Sequence, residues 1–367
     1  MSDWNGQSIE KGVSQIIDDA GLVEVQCGLP RSRSRTLSIA TRFVADAVTD
    51  ASESPWAGFV ARRIGRLVVS LWVLVTASFL MIHLIPGDPV RAALGNSAPG
   101  ALIEARREAL GLNDPLWLQY LHYLQGLVGG NLGTSMTSDL PVAQVIGDRL
   151  PATFELAGLA FLLAVLISVP VGALMGVLTR GGRRRRTELA FTSTSIVVAA
   201  IPEFLLAVGL VYFFAVQLGW FPVAGRSDAG SYVLPVVSMA LGSAAILSRI
   251  VRVEMLSVLG ADYVRTARAK RLPNWMIYFR HALPNALTAT LTIGGLMLSA
   301  MVAGTVLVEN VFAWPGLGST IVSSILAKDY PVVQGVVLVY GLGVLLVNLL
   351  VDIALGMLDP RSTIKES

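Results

Sequence analysis

The chain has 367 residues, 54% of them hydrophobic and only 14% charged, with a net charge of +3 and a single cysteine, Cys27. So apolar a composition excludes an ordinary water-soluble domain, and the lone cysteine excludes an intrachain disulfide or a cysteine-based metal cluster. So small a net charge makes no case for a nucleic-acid partner, and the information lies in how the charges are spread along the chain.

Residues 1–60 are polar, rich in Ser and Asp, and lack an apolar run long enough for a secretory signal peptide, so they read as a largely disordered tail. Within it Ala40, Phe43, Val44, Ala47 and Val48 recur at helical spacing. That is the pattern of a short amphipathic helix on a membrane surface, although a mobile tail or an upstream start codon explains it more simply.

Crossing a hydrocarbon core of roughly 30 Å takes about 20 mostly apolar helical residues, because every backbone polar group must be paired within the segment. Six stretches meet that test, near 67–85, 154–178, 189–218, 234–250, 286–308 and 332–355. Arginine and lysine mark the cytoplasmic side of such spans. Arg62, Arg63 and Arg66 precede the first span, Arg180 and Arg183 to Arg186 fill the second connection, and Arg249, Arg252, Arg265, Arg268, Lys270, Arg271 and Arg280 crowd the fourth. The alternate connections carry only Arg226 and Lys328 between spans three to four and five to six. The expectation is a multi-pass inner-membrane protein with both termini cytoplasmic: tail 1–60, first span 61–85, an outer segment 86–151, a five-helix core 152–358 and a short tail 359–367.

The segment 86–151 is too polar to span and reads as a small extracytoplasmic helical cap. Asp114 and Pro115 form an N-cap and first-turn pair, and Leu116, Tyr120, Leu124, Leu127 and Val128 trace an apolar stripe ending at Gly129 and Gly130. A second short helix is expected from Pro141, with Val142, Val145 and Ile146 on one side and Pro151 stopping it. Such a cap either covers the ends of the spans or also meets an external partner. The RGGRRRR run at 180–186 is most simply a topology determinant near anionic headgroups.

Glu203, just after Pro202, is the clearest ionisable group within an apolar run. An acidic residue at a helix centre costs roughly 2.5 to 3.5 kcal/mol on insertion scales, so it should face protein or water. It either lines a pathway, helped by a kink at Pro202, or lies nearer the inner interface; Ser238 and Ser299 are weaker pathway candidates, expected to be satisfied within their own helices. Glu155, Glu309 and Asp352 fall near span ends, where a carboxylate reaches water cheaply. His83, His122 and His281 belong to different regions and cannot converge on one metal.

Between two long apolar runs lies GADYVRTARAKRLPNWMIYFRHALPN, residues 260–285. Gly260 permits a turn, Asp262 can cap or join the first helical turn, and Pro273 forces an end. The helix is about ten residues, some 15 Å long. Tyr263, Val264 and Ala267 form its apolar stripe, flanked by Arg265, Arg268 and Lys270. That pattern suits a short helix in another protein's groove, or a solvated basic loop at a lipid surface.

YVRTARAK at 263–270, followed by HALPNAL at 281–287, resembles the cytoplasmic coupling loop of binding-protein-dependent ABC importer permeases. More narrowly, the chain resembles the B-type permease of the dipeptide, oligopeptide and nickel importer family. The likeness runs from about Arg62 to Arg361: LIPGDPV at Leu84, LGLNDPLWLQYL at Leu110, RLPATFELA at Arg149, IPEF at Ile201, VENVFAWPGLG at Val308, DYPVVQGVV at Asp329 and NLLVDIALGMLDPR at Asn348.

The resemblance implies an all-α, six-helix type I importer permease fold, with the coupling loop at 254–285. It implies a second permease beside this chain, two ATPase subunits below and an extracytoplasmic solute-binding protein above. The family's loop signature begins Glu-Ala-Ala, has a glycine four residues after the second alanine and ends Leu-Pro; here those places hold Arg265, Thr266, Ala267, then Arg271, then Leu283 and Pro284. Arg271 is the departure, and if the glycine is left-handed it costs on the order of 1 kcal/mol or more. By the same resemblance Glu309, Trp314 and Gly316 belong to an external gate or docking loop.

No G-x-x-x-x-G-K-[ST] phosphate loop occurs in the chain. ATP and Mg are therefore expected in partner subunits, with no cofactor or catalytic residue here. Short peptides are the expected cargo, with nickel or another small solute as the alternative. An intramembrane enzyme would need a nucleophile and base, paired aspartates or a histidine-rich site, and a proton-driven carrier several buried acids; neither pattern is present.

Overall fold

The computed structural model describes residues 55–84, 90–91, 98–109, 111–182 and 184–358. Cys27, the helical pattern at 40–48, Arg183 and the tail at 359–367 lie outside them. The chain divides into units 1–58 and 59–367, and the helix packing lies in the second.

The helices are α1 Pro55–Leu84, α2 Gly100–Ala109, α3 Leu116–Val128, α4 Val142–Leu178, α5 Arg185–Ala200 and α6 Glu203–Leu210, which runs on as a π-helix through Val211–Gln217. Then come α7 Val233–Gly260, α8 Asp262–Ala269, α9 Asn274–Met276 with a π-helical continuation Ile277–Ala282, α10 Leu283–Val311, α11 Leu317–Leu326 and α12 Tyr330–Leu358. Among the described residues the sole β feature is a bridge between Thr134 and Pro141.

Five helical stretches are long and apolar enough to cross a membrane: Arg62–Met81, Val142–Leu178, Ala229–Gly260, Thr290–Val311 and Tyr330–Ile353. The pair α5 and α6 passes the same test jointly, with axes that differ by 92°, and counts as a sixth when taken as one broken span. The kinked third span expected from Pro202 is therefore a right-angle break. Proline disfavours helical ψ in the residue before it and has no N–H of its own to give. Ile201 accordingly takes ψ 121° and Pro202 ψ 137°, two extended residues in succession that swing the chain round.

Two expectations for the outer segment are corrected. Pro151 does not stop a short helix, since α4 runs for 37 residues straight through Pro151 and Pro170. The reason is tertiary: Val142 and Ile146 are buried against Leu317, Val332 and Val336, and this packing holds the first turns in line despite the missing hydrogen bond. Nor does Asp114 cap α3, because Pro115 occupies the N-cap and makes no side-chain bond. Of the stripe predicted there, Tyr120, Leu124 and Leu127 turn inward, while Leu116 and Val128 are exposed.

The centre of the fold is the pairing of α4 with α7. A Cβ at Gly172 would lie 2.5 Å from the Ser248 carbonyl and 2.6 Å from Val251 Cβ, and one at Gly176 would lie 2.9 Å from Met255 Cβ. Glycines four apart let the backbones touch, the packing that replaces the hydrophobic drive between membrane helices. α10 joins this pair and α12 on its other side. The largest core cluster, with Leu156, Met239, Met301, Phe312 and Trp314, sits where α4, α7 and α10 meet the α10–α11 turn. α1 is peripheral, with Ile64, Val68, Val69, Trp72 and Val73 exposed.

Candidate functional site

α7 ends at Gly260, and Ala261 takes an extended conformation (φ −67°, ψ 153°) that turns the chain into α8. α8 has eight residues, shorter than the ten expected. Asp262 starts it without a capping bond; its carboxylate instead accepts from Arg265 Nη1 at 3.2 Å and its carbonyl from Thr266 Oγ1 at 3.1 Å. The apolar stripe is divided, which corrects the expectation that all of it faces a partner. Val264 and Ala267 are buried against Met255, Leu259, Ile277, Ala282 and Ala286 of their own chain. The outward face carries Tyr263, Arg265, Thr266, Lys270 and Arg271, with Arg268 half-buried between the two.

The end of α8 accounts for Arg271. Its N–H donates to Arg268 O at 2.8 Å and that of Leu272 to Ala267 O at 3.3 Å, the paired bonds of a Schellman motif. Arg271 is the C′ residue of that motif and has φ 54°, the left-handed conformation glycine adopts without penalty. Pro273 follows with ψ 148° and keeps the chain from resuming at once.

Leu283 and Pro284 open α10, where a proline in the first turn removes no bond the helix needs. Pro284 is exposed and Leu283 half-buried. Two exposed aromatics, Trp275 and Phe279, stand on the same connection. Their four-residue spacing is the one signal the sequence carried for them, and nothing in it separates an outward pair from a buried one. On the other flank Arg252 of α7, its side chain 11% exposed, donates to Glu188 at 2.5 Å and to Thr179 Oγ1 at 3.1 Å. Arg180 donates to Leu259 O at 2.9 Å. The connection between α4 and α5 is thus fastened to the end of α7, beside α8.

At the other end of α10, Glu309 is wholly buried, correcting the expectation that it reaches water. α11 folds back over it. The carboxylate accepts from Thr153 Oγ1 at 2.7 Å and from the Gly318 and Ser319 N–H groups at 2.7 and 3.1 Å. It caps the first turn of α11 from a distance, and three donors offset the cost of removing a carboxylate from water. Trp314 is equally buried and donates through Nε1 to Ala152 O at 3.0 Å. A Cβ at Gly316 would collide with the Glu309 carboxylate. The three residues expected in a gate or docking loop are packed together as a joint between α10, α11 and α4.

Glu203 is half-buried as the first residue of α6, at the break. Its Oε2 lies 3.0 Å from where a Cβ on Gly304 of α10 would stand, and no described residue donates to it. Ser238 is buried and donates to Pro235 O within its own helix at 2.8 Å. Ser299 is not satisfied within its helix as expected, but donates across to Asn348 Oδ1 of α12 at 2.7 Å. Both serines are engaged in interior bonds. Among the described residues no group of His, Cys, Asp and Glu is placed to hold a metal.

Residues 137–364 match the family described as "Binding-protein-dependent transport system inner membrane component", and residues 57–157 match the N-terminal part of the membrane component of such systems. The chain is 38% identical over 302 residues to the glutathione transport system permease protein GsiC of Pectobacterium atrosepticum, covering 82% of this chain and 97% of that one. The GsiC protein of Escherichia coli strain K12 is 34% identical over the same coverage. Among solved structures, an inward-facing form of the MetNI methionine ABC transporter superposes with a TM-score of 0.51 at 19% identity, over 59% of this chain and 97% of that one. At that identity the likeness is one of fold.

Proposed function

Because this chain belongs to the family of binding-protein-dependent transport system inner membrane components, and so is the permease subunit of an ABC importer, we propose that it pairs with a related permease to pass short peptides. It is a multi-pass inner-membrane protein with the type I permease fold, and it is not an enzyme. In this reading two cytoplasmic ATPase subunits, using ATP and Mg, sit below and an extracytoplasmic solute-binding protein above. The peptide cargo is supported by relatives named for glutathione transport, glutathione being a tripeptide.

The arginine-rich connections support a cytoplasmic position for both termini and for α8. The observation that carries the reading is the two-faced build of α8. Its inner face, Val264 and Ala267, is locked into the chain, so a pull on the outer face is passed to α7 and α10 instead of being lost in a loose loop. In the proposed cycle the closing ATPases grip Tyr263, Arg265, Arg268, Lys270 and Arg271, and α8 moves as one body with the end of α7. The backbone contact at Gly172 and Gly176 carries that motion to α4, and the joint at Glu309, Trp314 and Gly316 carries it to the outer end. Glu203 lies along the pathway, where an unbonded carboxylate can meet the amino terminus of a peptide.

The test is purification from membranes in mild detergent. An ATPase co-elutes with the wild-type chain and is lost with Tyr263→Ala plus Arg268→Glu, changes on or near the surface that leave the inner face intact. Retention of the ATPase with normal transport in that variant would overturn the coupling assignment. The ligand carried by the co-purified binding protein identifies the cargo; nickel or another small solute there, in place of a peptide, would refute the peptide reading alone.

A further inference from the structure

α1 and α12 run antiparallel and touch at separated points. Arg63 pairs with Asp352 at one end, Leu74 fits the space left by Gly341 in the middle, and Ser78 donates to Gln334 O at 3.3 Å beyond it. Between the first two points the helices leave a groove of about 90 Å3. It is lined by the charged Arg63, Arg66 and Asp352 and by the leucines Leu67, Leu345 and Leu349. Ser70 and Asn348 complete the lining, and the Asn348 amide oxygen already accepts from Ser299.

Three features define an occupant. The groove's charged residues lie in the first turns of the apolar stretch Arg62–Met81 and near the end of Tyr330–Ile353, the parts of a spanning helix that meet lipid headgroups. Its charge is positive, since Asp352 is the one acid among its residues and pairs with Arg63, while Arg66 is exposed with no ion pair or hydrogen bond to any described residue. Its leucines lie alongside the charged residues, an apolar surface that a small soluble anion has no use for. Basic pockets between membrane helices on the cytoplasmic side are where anionic headgroups bind.

We propose that this groove holds one anionic phospholipid, its phosphate against Arg66 and Arg63 and an acyl chain along Leu67, Leu345 and Leu349. The lipid then serves as the packing that α1 lacks on this side.

The experiment uses the intact importer complex, reconstituted in nanodiscs with equal parts phosphatidylglycerol and phosphatidylcholine, stripped by detergent exchange and weighed by native mass spectrometry. The wild type retains phosphatidylglycerol in preference. Arg66→Gln, at an exposed position that bonds to no described residue, lowers its retention about fivefold, as expected for one headgroup arginine. Leu345→Trp, which fills the groove without altering its charge, lowers it as well. Arg185→Gln, in the connection between α4 and α5, leaves it unchanged. Equal retention of the two lipids, or equal losses in Arg66→Gln and Arg185→Gln, would show diffuse surface charge and overturn the proposal. So would displacement of phosphatidylglycerol by inorganic phosphate at matched concentration, the mark of a site for free anions.

Discussion

Replacing Arg271 with glycine should steady the end of α8. An L-residue in the left-handed conformation at the end of α8 costs about 1–2 kcal/mol relative to glycine, and Arg271 with φ 54° is in that conformation. Glycine loses more freedom on ordering, which gives back about 0.5–1 kcal/mol. The net is about 0.5–1 kcal/mol in favour of the folded turn, equivalent to a two- to fivefold fall in the opening of the last turn of α8. Hydrogen exchange of the Arg271 and Leu272 amides, whose bonds close the Schellman motif, and of Lys270, which bonds Thr266 O, reads this directly. Arg271→Ala is the control, because it removes the charge and keeps the conformational cost, and its exchange should stay near the wild-type rate. Unchanged or faster exchange in Arg271→Gly would refute the assignment of a conformational cost to this residue. Coupled ATP hydrolysis separates the roles: retained in both variants, it makes Arg271 a dispensable contact, whereas loss in both makes its guanidinium part of the grip.

Gly316→Ala drives a methyl into the Glu309 carboxylate and should cost about 1–3 kcal/mol, seen as a lowered melting temperature; an unchanged one would show that the α10–α11 joint can yield. Glu309→Gln can keep its one oxygen on the Gly318 and Ser319 N–H groups, which share Oε2, but sets an NH2 against the Thr153 hydroxyl that donates to Oε1, and should cost about 1–3 kcal/mol by the same measurement. Val264→Asn places an amide in the apolar seat of α8 at a cost of about 1–3 kcal/mol, so co-elution of the ATPase should weaken although the outer face is untouched. Asp329, between α11 and α12, is the pH-sensitive tie. Burial alone would raise its carboxyl, but donors from Ser135, Met136 and Thr137 outweigh it and hold the group below its ordinary 3.8. Its stabilisation is therefore complete above the ordinary value and lost as pH falls through the lowered one. Acidification into that range should expose the 131–141 segment to hydrogen exchange, and Asp329→Asn should do so at neutral pH.

The spans were legible because apolar length is a local property, and the family because its motifs are strings. What tertiary contacts decide was not. Tyr263, Val264 and Ala267 read as one stripe, and helical spacing cannot say whether a neighbour in the same chain or another protein covers it; here the chain itself covers two of the three. Glu309 stands at the end of an apolar run, which reads as access to water until α11 folds over it. Pro151 reads as a stop because the packing that carries α4 through it, Val142 and Ile146 on Val332 and Val336, joins residues far apart in sequence. Pro202 announced a distortion but not its size, since the angle depends on Ile201 turning extended as well. Arg271 is the opposite case: a departure from a family signature, visible in one residue, anticipated a backbone angle.

The elbow at Ile201–Pro202 constrains its surroundings. Helix ends leave carbonyl and amide groups without partners inside the helix, and the abrupt change of direction puts the tail of α5 and the head of α6 in the same place, midway along an otherwise apolar stretch. Fatty tails can offer those dipoles nothing, and bare peptide groups are tolerated at such depth only against protein or water. That corner of the molecule must therefore be turned toward protein or water and away from the surrounding oil.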